Sequence, residues 1–181
     1  MTMSRYWRML AAGTVLVILA YGCGEQDTVD HDGELVSRDG RIAFTRATSF
    51  GSPKFDSEVY TVGVDGSGER RLTDRPGLHA FPAWSPDGTR IAFTGQTFMG
   101  DGEVYVIEAD GSGRTRLTVI SGYVHWPPTG SPDGERIAFT SEGTEGNPEI
   151  YVMNSDGSGL MRLTDDPAED MEAGATARRR G

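Results

Sequence analysis

An all-β fold class is predicted by three observations on this 181-residue chain. Turn-forming residues are abundant, since the chain contains 25 glycines and 9 prolines. Short apolar runs of strand length alternate with these turns. A unit that joins a turn to a short polar strand is written three times, as VDGSGERRLT, ADGSGRTRLT and SDGSGLMRLT. Such a chain is expected to form many short strands rather than long helices, and it is long enough to bury one core.

The unit repeats with a period of 45 or 46 residues, which separates Asp65 from Asp110 and Asp110 from Asp156. These aspartates begin Asp-Gly turns, which are strong hairpin signals between apolar strands. Repeats of this length are typical of solenoids and propellers. The sequence predicts three units over residues 34–164, at about 34–73, 79–118 and 123–164.

Each unit is expected to contain four strands, which the second unit displays most completely. Its strands are HAFPAWS, RIAFT, EVYVIEA and RTRLT, joined by the turns SPDG and DGSG and by a loop. In the third strand, two valines lie on one face, and Tyr105 and Ile107 lie on the other. Because both faces are apolar, the sheet is predicted to be buried on both sides. The arginines of the last strand suit an outer edge that must not recruit neighbours.

Four antiparallel strands that are buried on both faces and repeated at this period form a β-propeller blade, in which neighbouring blades cover each other. We therefore predict a partial β-propeller of three four-stranded antiparallel blades, preceded by an N-terminal signal helix. A solenoid is the alternative, but four strands per unit are too many for one. In this interpretation Trp84 and the three turn aspartates are structural residues of the repeat.

The outer units depart from the pattern of the second. The first strand of unit one is shortened, and Gly130 stands in unit three where Trp84 stands in unit two. Because a buried tryptophan is lost there, the inner strand of unit three is expected to be the loosest. Three blades are also fewer than the roughly four to eight of closed propellers. Three explanations stay open: a truncated or remodelled gene, completion by another chain, and self-association of two copies into one ring.

Residues 1–22 resemble a signal peptide. Arg5 and Arg8 precede an apolar run of 14 residues, MLAAGTVLVILAYG, which is short for a membrane span of about 20 residues. The run leads into AYGCGE, a lipobox-like motif that predicts lipidation of Cys23. Ordinary signal cleavage near the same place and a retained anchor are the alternatives. The protein is predicted to be exported to the periplasm or cell surface, as a membrane-anchored lipoprotein if Cys23 is modified.

Charge and cysteine content narrow the range of partners. The formal net charge is −10, and loss of two arginines with the signal peptide leaves 15 basic against 27 acidic residues, or −12. Such an acidic chain is not expected to bind nucleic acid. Cys23 is the sole cysteine, so the chain forms no internal disulfide. Residues 23–33 are predicted to be a linker, and residues 165–181 a disordered tail.

Residues 81–118, FPAWSPDGTRIAFTGQTFMGDGEVYVIEADGSGRTRLT, closely resemble the blade repeat of the TolB family of periplasmic propellers. The same repeat occurs in the propellers of prolyl oligopeptidase-type peptidases, and the resemblance extends over residues 34–164. The TolB resemblance implies a rigid, noncatalytic scaffold of the cell envelope that binds other proteins. The repeat motifs are structural, so the resemblance implies no catalytic residue.

The sequence carries no motif of catalysis or cofactor binding. It contains neither a Gly-x-Ser-x-Gly nucleophile elbow nor a phosphate-binding Gly-x-x-x-x-Gly-Lys. His79 and His125 are one repeat apart, so we expect them on a polar rim of different blades rather than in one metal site. Each Asp-Gly-Ser-Gly turn supplies one carboxylate, which is too few for calcium. We therefore predict no catalytic residue, no cofactor and no metal site.

A loop of unit one, RATSFGSPKFDS, is four residues longer than its counterparts and carries Phe50, Lys54 and Phe55. Apolar tips on a rigid scaffold favour a binding site, so we predict contact with a protein partner of the cell envelope there. A tolerated surface insertion is the alternative. The predicted function is a protein-interaction module. The alternatives are a fragment of a larger propeller protein and the propeller part of a prolyl oligopeptidase-like hydrolase that lacks its catalytic domain.

Overall fold

The computed structural model describes residues 37, 39–49, 56–96, 102–120, 127–142, 147–165 and 170. These residues form strands and turns and contain no helix, which confirms the predicted all-β class. The predicted signal peptide and linker lie outside the described residues, as does most of the predicted tail. The strands, numbered in chain order, are β1 (Arg41–Ser49), β2 (Asp56–Gly63), β3 (Arg70–Arg71), β4 (Leu78–Trp84), β5 (Arg90–Gln96), β6 (Glu103–Glu108), β7 (Thr115–Arg116), β8 (Thr129–Gly130), β9 (Arg136–Ser141), β10 (Glu149–Asn154) and β11 (Met161–Arg162).

The strands form two sheets. One has seven strands in the order β1-β2-β4-β5-β6-β7, with β3 added beside β2, and the other has four in the order β11-β10-β9-β8. Strand pairs within each sequence unit are antiparallel. Units one and two meet through a single parallel bridge between Ser57 and Leu78. Unit one thus contributes β1–β3, unit two β4–β7 and unit three β8–β11.

Asp-Gly turns connect the two outer strands of each unit. Asp65 Oδ1 accepts a hydrogen bond from the Ser67 amide at 2.9 Å, and Gly66 between them has a φ of 80°. The turns at Asp110 and Asp156 repeat this bond from the amide two residues on. The left-handed backbone explains why glycine follows each aspartate. Hydrogen bonds from the side chain and then the amide of the turn serine lower the pKa of all three carboxyls.

Two apolar clusters fill the spaces between neighbouring units. The first joins units one and two, and its buried members are Ala43, Val59, Leu72, Trp84, Ile91, Phe93 and Ile107. The second joins units two and three, and its buried members are Ala92, Val104, Ile137, Phe139 and Met153. Successive residues of β5 enter different clusters because side chains of a strand alternate between its faces. The sheet of unit two is therefore buried on both sides, as the sequence predicted.

The inner strand differs between units two and three. Trp84 pairs with Ile91, and Gly130 pairs with Ile137, so Gly130 occupies the position of the tryptophan. Over the described residues the pairing is equivalent, since Thr129 and Gly130 pair with β9 as Ala83 and Trp84 pair with β5. Residues 121–126, which precede β8, lie outside the described residues, so the looser inner strand expected from the loss of the indole stays a prediction.

Candidate functional site

A cleft opens where the loop before β4 meets the last residues of β5, Tyr105 of β6 and the segment before β7. Its volume is about 330 Å³, and it is lined by Arg75, Pro76, His79, Gly95, Gln96, Tyr105 and Arg114. Strand β4 supplies the histidine, β5 the glycine and glutamine, and β6 the tyrosine. Two arginines, one from each flanking loop, complete the lining. The cleft thus combines positive charge with an aromatic wall.

Arg114 is held flat against that wall. Its guanidinium carbon lies 4.4 Å from the ring centre of Tyr105 and 5.7 Å from that of Phe93, and the two rings stack at 5.6 Å. A cation over an aromatic face is attracted to the ring quadrupole. Gly95 leaves the space for this stack, since a Cβ atom there would lie 2.7 Å from Tyr105 Cδ2.

Unit one builds the same stack with its cation on a different strand. Arg46 of β1 lies 4.5 Å from the ring centre of Tyr60, and that ring stacks on Phe44. Arg46 follows Phe44 by two residues, just as Gly95 follows Phe93. Units one and two therefore share the arginine–aromatic contact, but the arginine comes from β1 in unit one and from the segment before β7 in unit two. Only unit two has a glycine at this position of the repeat, Gly95 of β5. The space left by its missing side chain forms part of the cleft.

His79 is buried beside Arg114 and is neutral. It is 2% exposed, with Nδ1 3.2 Å from Glu58 Oε2 and Nε2 3.1 Å from Arg114 Nη2. Arginine only donates hydrogen bonds, so Nε2 accepts and the proton resides on Nδ1, which donates to Glu58. Burial and then the charge of Arg114 lower the pKa of His79, against the opposing attraction of Glu58. Both ring nitrogens are therefore engaged in the fold.

A buried carboxylate lies behind the histidine. Glu58 is 3% exposed and accepts hydrogen bonds from Arg71 Nη2 at 2.6 Å and from the Thr73 hydroxyl. The Thr73 hydroxyl also accepts from the Val59 amide at 2.9 Å. The carboxylate thus ties β2 to the segment after β3 and to His79 of the next unit. Its burial is tolerable because charge and hydrogen bonds compensate for lost hydration.

The same glutamate recurs in the other two units. Glu103 and Glu149 are buried, and each accepts a hydrogen bond from the hydroxyl of a threonine 15 residues later. Arg162 pairs with Glu149 at 2.8 Å, as Arg71 pairs with Glu58. This network was not predicted from the sequence. The available signal was a glutamate that precedes an apolar residue and a tyrosine in every unit and is followed 15 residues later by threonine.

The predicted site residues have different outcomes. The polar-rim position expected for His79 is wrong, because the contact between units one and two buries the ring. Trp84 is buried at the end of β4. Residues His125, Cys23, Phe50, Lys54 and Phe55 lie outside the described residues. Within the described ranges, no group of three or more histidine, cysteine, aspartate or glutamate side chains is placed to hold a metal ion.

The arrangement suits recognition of an anion. A guanidinium carries five N–H donors in a planar fork, and Arg114 gives one of them to His79. Arg75 is exposed, and among the described residues its side chain makes no hydrogen bond or ion pair. Both arginines line one cavity. Two guanidinium groups in a partly enclosed space favour a carboxylate or a similar planar anion.

Lowering the pH from about 8 to about 5.5 is expected to destabilise the fold through His79. Its folded pKa lies below the ordinary 6.5, so the unfolded chain takes up the proton first. Stability is fully present above the unfolded pKa and declines as pH falls below it, by at most about 1.4 kcal/mol per pH unit. The charged groups that contact the ring are Glu58 and Arg114.

The measurement is urea unfolding at several pH values for the wild type and the His79→Gln variant. The variant is expected to show a shallower pH dependence between about pH 7 and about pH 5.5. His125→Gln, which removes a histidine one repeat later, is the control. Equal slopes for wild type and His79→Gln would contradict the assignment of a buried neutral histidine.

The structure describes no helix that is long and apolar enough to cross a membrane, within the residues that it covers. No protein-family model matches the chain. Over 61 residues the chain is 43% identical to dipeptidyl-peptidase 5 of Porphyromonas gingivalis. That stretch is 32% of this chain and 9% of the relative.

Solved structures resemble a larger part of the chain. The putative TolB from Agrobacterium tumefaciens matches 71% of it with a TM-score of 0.60 and 25% identity, and TolB from Acinetobacter baumannii matches 72% with 0.58 and 27%. The β-propeller domain of the Trilobed protease from Pyrococcus furiosus matches 71% with a TM-score of 0.54 and 11% identity, which shows the fold alone. The chain covers 47%, 31% and 40% of these structures, respectively, and so spans less than half of each. Together with the observed sheets, these matches give the chain a TolB-like β-propeller fold.

Proposed function

We propose that this chain is an exported, noncatalytic protein-interaction module of the cell envelope, and that its cleft holds an acidic segment of a protein partner. The observation that carries the proposal is the pair Arg75 and Arg114 in one cleft of a chain whose net charge is −10. A local positive site on an acidic protein selects an anionic group while the remaining surface repels most other acidic molecules.

Arg114 is the fixed element of this site. The aromatic stack under its guanidinium and the hydrogen bond to His79 restrict its rotation, so little entropy is lost when a ligand binds. Arg75 is exposed and free to close over the same ligand. A carboxylate bound between them exchanges water for charge-assisted hydrogen bonds, which are about twice as strong as neutral ones.

Binding rather than catalysis is supported by the state of the histidine. A general base needs a ring nitrogen that can reach the substrate, whereas both nitrogens of His79 are engaged and the ring is 2% exposed. Tyr105 is the only hydroxyl-bearing side chain among the lining residues, and Arg114 covers its ring. The cleft therefore offers recognition groups and no activated nucleophile.

The envelope location is supported by the N-terminal residues. The signal-like segment 1–22 and the lipobox-like motif around Cys23 would export the chain and anchor it through a lipid. An acidic module is repelled by anionic headgroups, which would leave the propeller accessible to soluble or membrane-bound proteins. The loop with Phe50, Lys54 and Phe55 is proposed as a second contact with the same partner.

The experiment measures fluorescence anisotropy of a fluorescein-labelled oligoglutamate peptide with the full chain, at low and high salt. Arg75→Gln/Arg114→Gln is expected to weaken binding by at least about tenfold, since charge-assisted hydrogen bonds are lost. The control Arg70→Gln/Arg116→Gln removes two charges from exposed β3 and β7. Equal weakening by both double variants would reject the cleft as the site.

A second experiment tests the loop contact. Envelope proteins are captured by pull-down with the wild type and with the Phe50→Ser/Phe55→Ser variant, and an unchanged set of captured proteins would reject this contact.

A second candidate function is favoured by the similarity to dipeptidyl-peptidase 5. The chain would then be the propeller part of a prolyl oligopeptidase-like hydrolase, and the cleft would face a peptide substrate. The coding sequence that flanks this chain distinguishes the two functions. A hydrolase domain in the same reading frame would support the second candidate, and its absence would leave the interaction module.

A further inference from the structure

In units two and three, the Asp-Gly turn between the two outer strands packs on a leucine of the preceding unit. The turn glycine Gly111 lies against Leu72, whose Cδ2 would be 3.5 Å from a Cβ atom on the glycine. One unit later, Gly157 lies against Leu117, since a Cβ atom on this glycine would be 2.9 Å from the Leu117 carbonyl oxygen. Ala109, which precedes the turn of unit two, packs on the first apolar cluster. The contact between units is therefore a repeated one with two defined halves.

Among the described residues, each outer unit presents one half of this contact without the other. In unit three, Leu163 takes the place of Leu72 and Leu117 and is 54% exposed. In unit one, Val64 takes the place of Ala109 and is 64% exposed. A Cβ atom on the turn glycine Gly66 would meet no described residue within 4 Å. One outer unit thus presents a leucine without a turn, and the other presents a turn without a leucine.

The broad faces of the sheets show the same pattern. Val59 and Val104 are fully buried against the following unit, whereas Ile150 at the equivalent place in unit three is half-buried. Phe93 is fully buried against the preceding unit, whereas Phe44 at the equivalent place in unit one is half-buried. At unit three, the Asp170 amide donates to the Pro148 carbonyl, yet among the described residues Ile150 and Leu163 stay partly exposed, and they are of the residue types that units one and two bury. The outer face of unit one presents Phe44 and Val64, whose equivalents in unit two pack on unit one.

We propose that a second copy of this chain occupies these faces, with its Val64–Gly68 turn seated on Leu163. The contact continues, between chains, the packing already present between units of one chain. Two copies related by a two-fold axis make this contact twice and close an assembly of six units, which lies within the roughly four to eight blades of closed propellers. The proposal uses none of the cleft residues, so it stands or falls separately from the proposed function.

The test is sedimentation equilibrium of the full chain in a density-matched nonionic detergent, which also shields the apolar run near the N-terminus. The wild type is expected to sediment with twice the chain mass. Leu163→Glu and Val64→Glu each place a charge in the apolar contact and are expected to weaken the dimer by at least about tenfold. The double variant Val64→Arg/Leu163→Glu joins opposite charges and is expected to restore it. Val119→Glu, at a residue that is 77% exposed, is the control.

Disulfide trapping locates the contact. In a Cys23→Ser background, a mixture of Val64→Cys and Leu163→Cys chains is expected to form a cross-linked pair under mild oxidation. A mixture of Val119→Cys and Leu163→Cys is not. A wild type that stays monomeric at every concentration overturns the proposal, as does a dimer that neither glutamate variant weakens. Circular dichroism of each variant establishes that the strands remain folded.

Discussion

Glu58→Ala is expected to lower the free energy of unfolding by about 2–5 kcal/mol, because two buried donors lose their acceptor at about 1–3 kcal/mol each. The variant leaves the proton on His79 Nδ1 and the Thr73 hydroxyl without their acceptor. It also removes the anion that faces Arg71. Because these groups lie between units one and two, we expect the loss to loosen the contact between them as well as β2 itself.

Urea unfolding followed by circular dichroism measures the change. Glu69→Ala is the matched control, since Glu69 also pairs with an arginine at 2.7 Å but is 45% exposed. Exposed pairs contribute little to stability because solvent screens them, so the control is expected to change the free energy of unfolding only slightly. Glu58→Gln retains an acceptor oxygen and is expected to fall between the two. Similar losses for Glu58→Ala and Glu69→Ala would contradict the role assigned to the buried network.

Phe93→Ala is expected to destabilise the chain by about 3–5 kcal/mol, as for other fully buried phenylalanines. Its ring is 0% exposed, stacks on Tyr105 at 5.6 Å and meets the His79 ring edge-on at 5.9 Å. The substitution leaves a cavity in the cluster that joins units one and two. It also removes part of the platform under Arg114, so binding of the oligoglutamate peptide should weaken in parallel.

The equivalent substitution Phe44→Ala separates the energy of burial between units from that of aromatic stacking. Phe44 makes the same kind of stack with Tyr60, at 5.7 Å, but is only half-buried. Its loss is expected to cost less in urea unfolding of the dilute chain, because fewer contacts disappear. Equal losses for Phe44→Ala and Phe93→Ala would show that the stack, rather than burial between units, carries the energy.

Much of the fold was predictable because its signals are local. The Asp-Gly turns require a left-handed residue, and Gly66 with its equivalents supplies it. The alternation of apolar residues in RIAFT and EVYVIEA predicted strands that are buried on both faces, and β5 and β6 are. The fixed spacing of the units predicted stacking, because no unit can cover its own two faces.

The candidate site was not predictable in the same way. His79 was predicted to lie on a polar rim because His125 occupies the equivalent position one repeat later. Glu58, which receives its proton, belongs to the preceding unit, 21 residues earlier in the chain. Arg114, which fixes its tautomer, comes 35 residues later, so three separate segments must meet before the role of the ring is defined.

By itself, the sequence determined the class of fold, the repeat, the positions of the turns and the replacement of Trp84 by Gly130. Those features depend on backbone preference and on periodicity, which are properties of short stretches. The tertiary structure alone decided which ionisable groups are buried, where the arginines converge and which apolar residues stay uncovered. Those features depend on the neighbour that each unit packs against. Leu72 and Leu163 occupy equivalent positions in the repeat, yet Leu72 is buried and Leu163 is exposed, because of the two only Leu72 is covered by the turn of a following unit among the described residues.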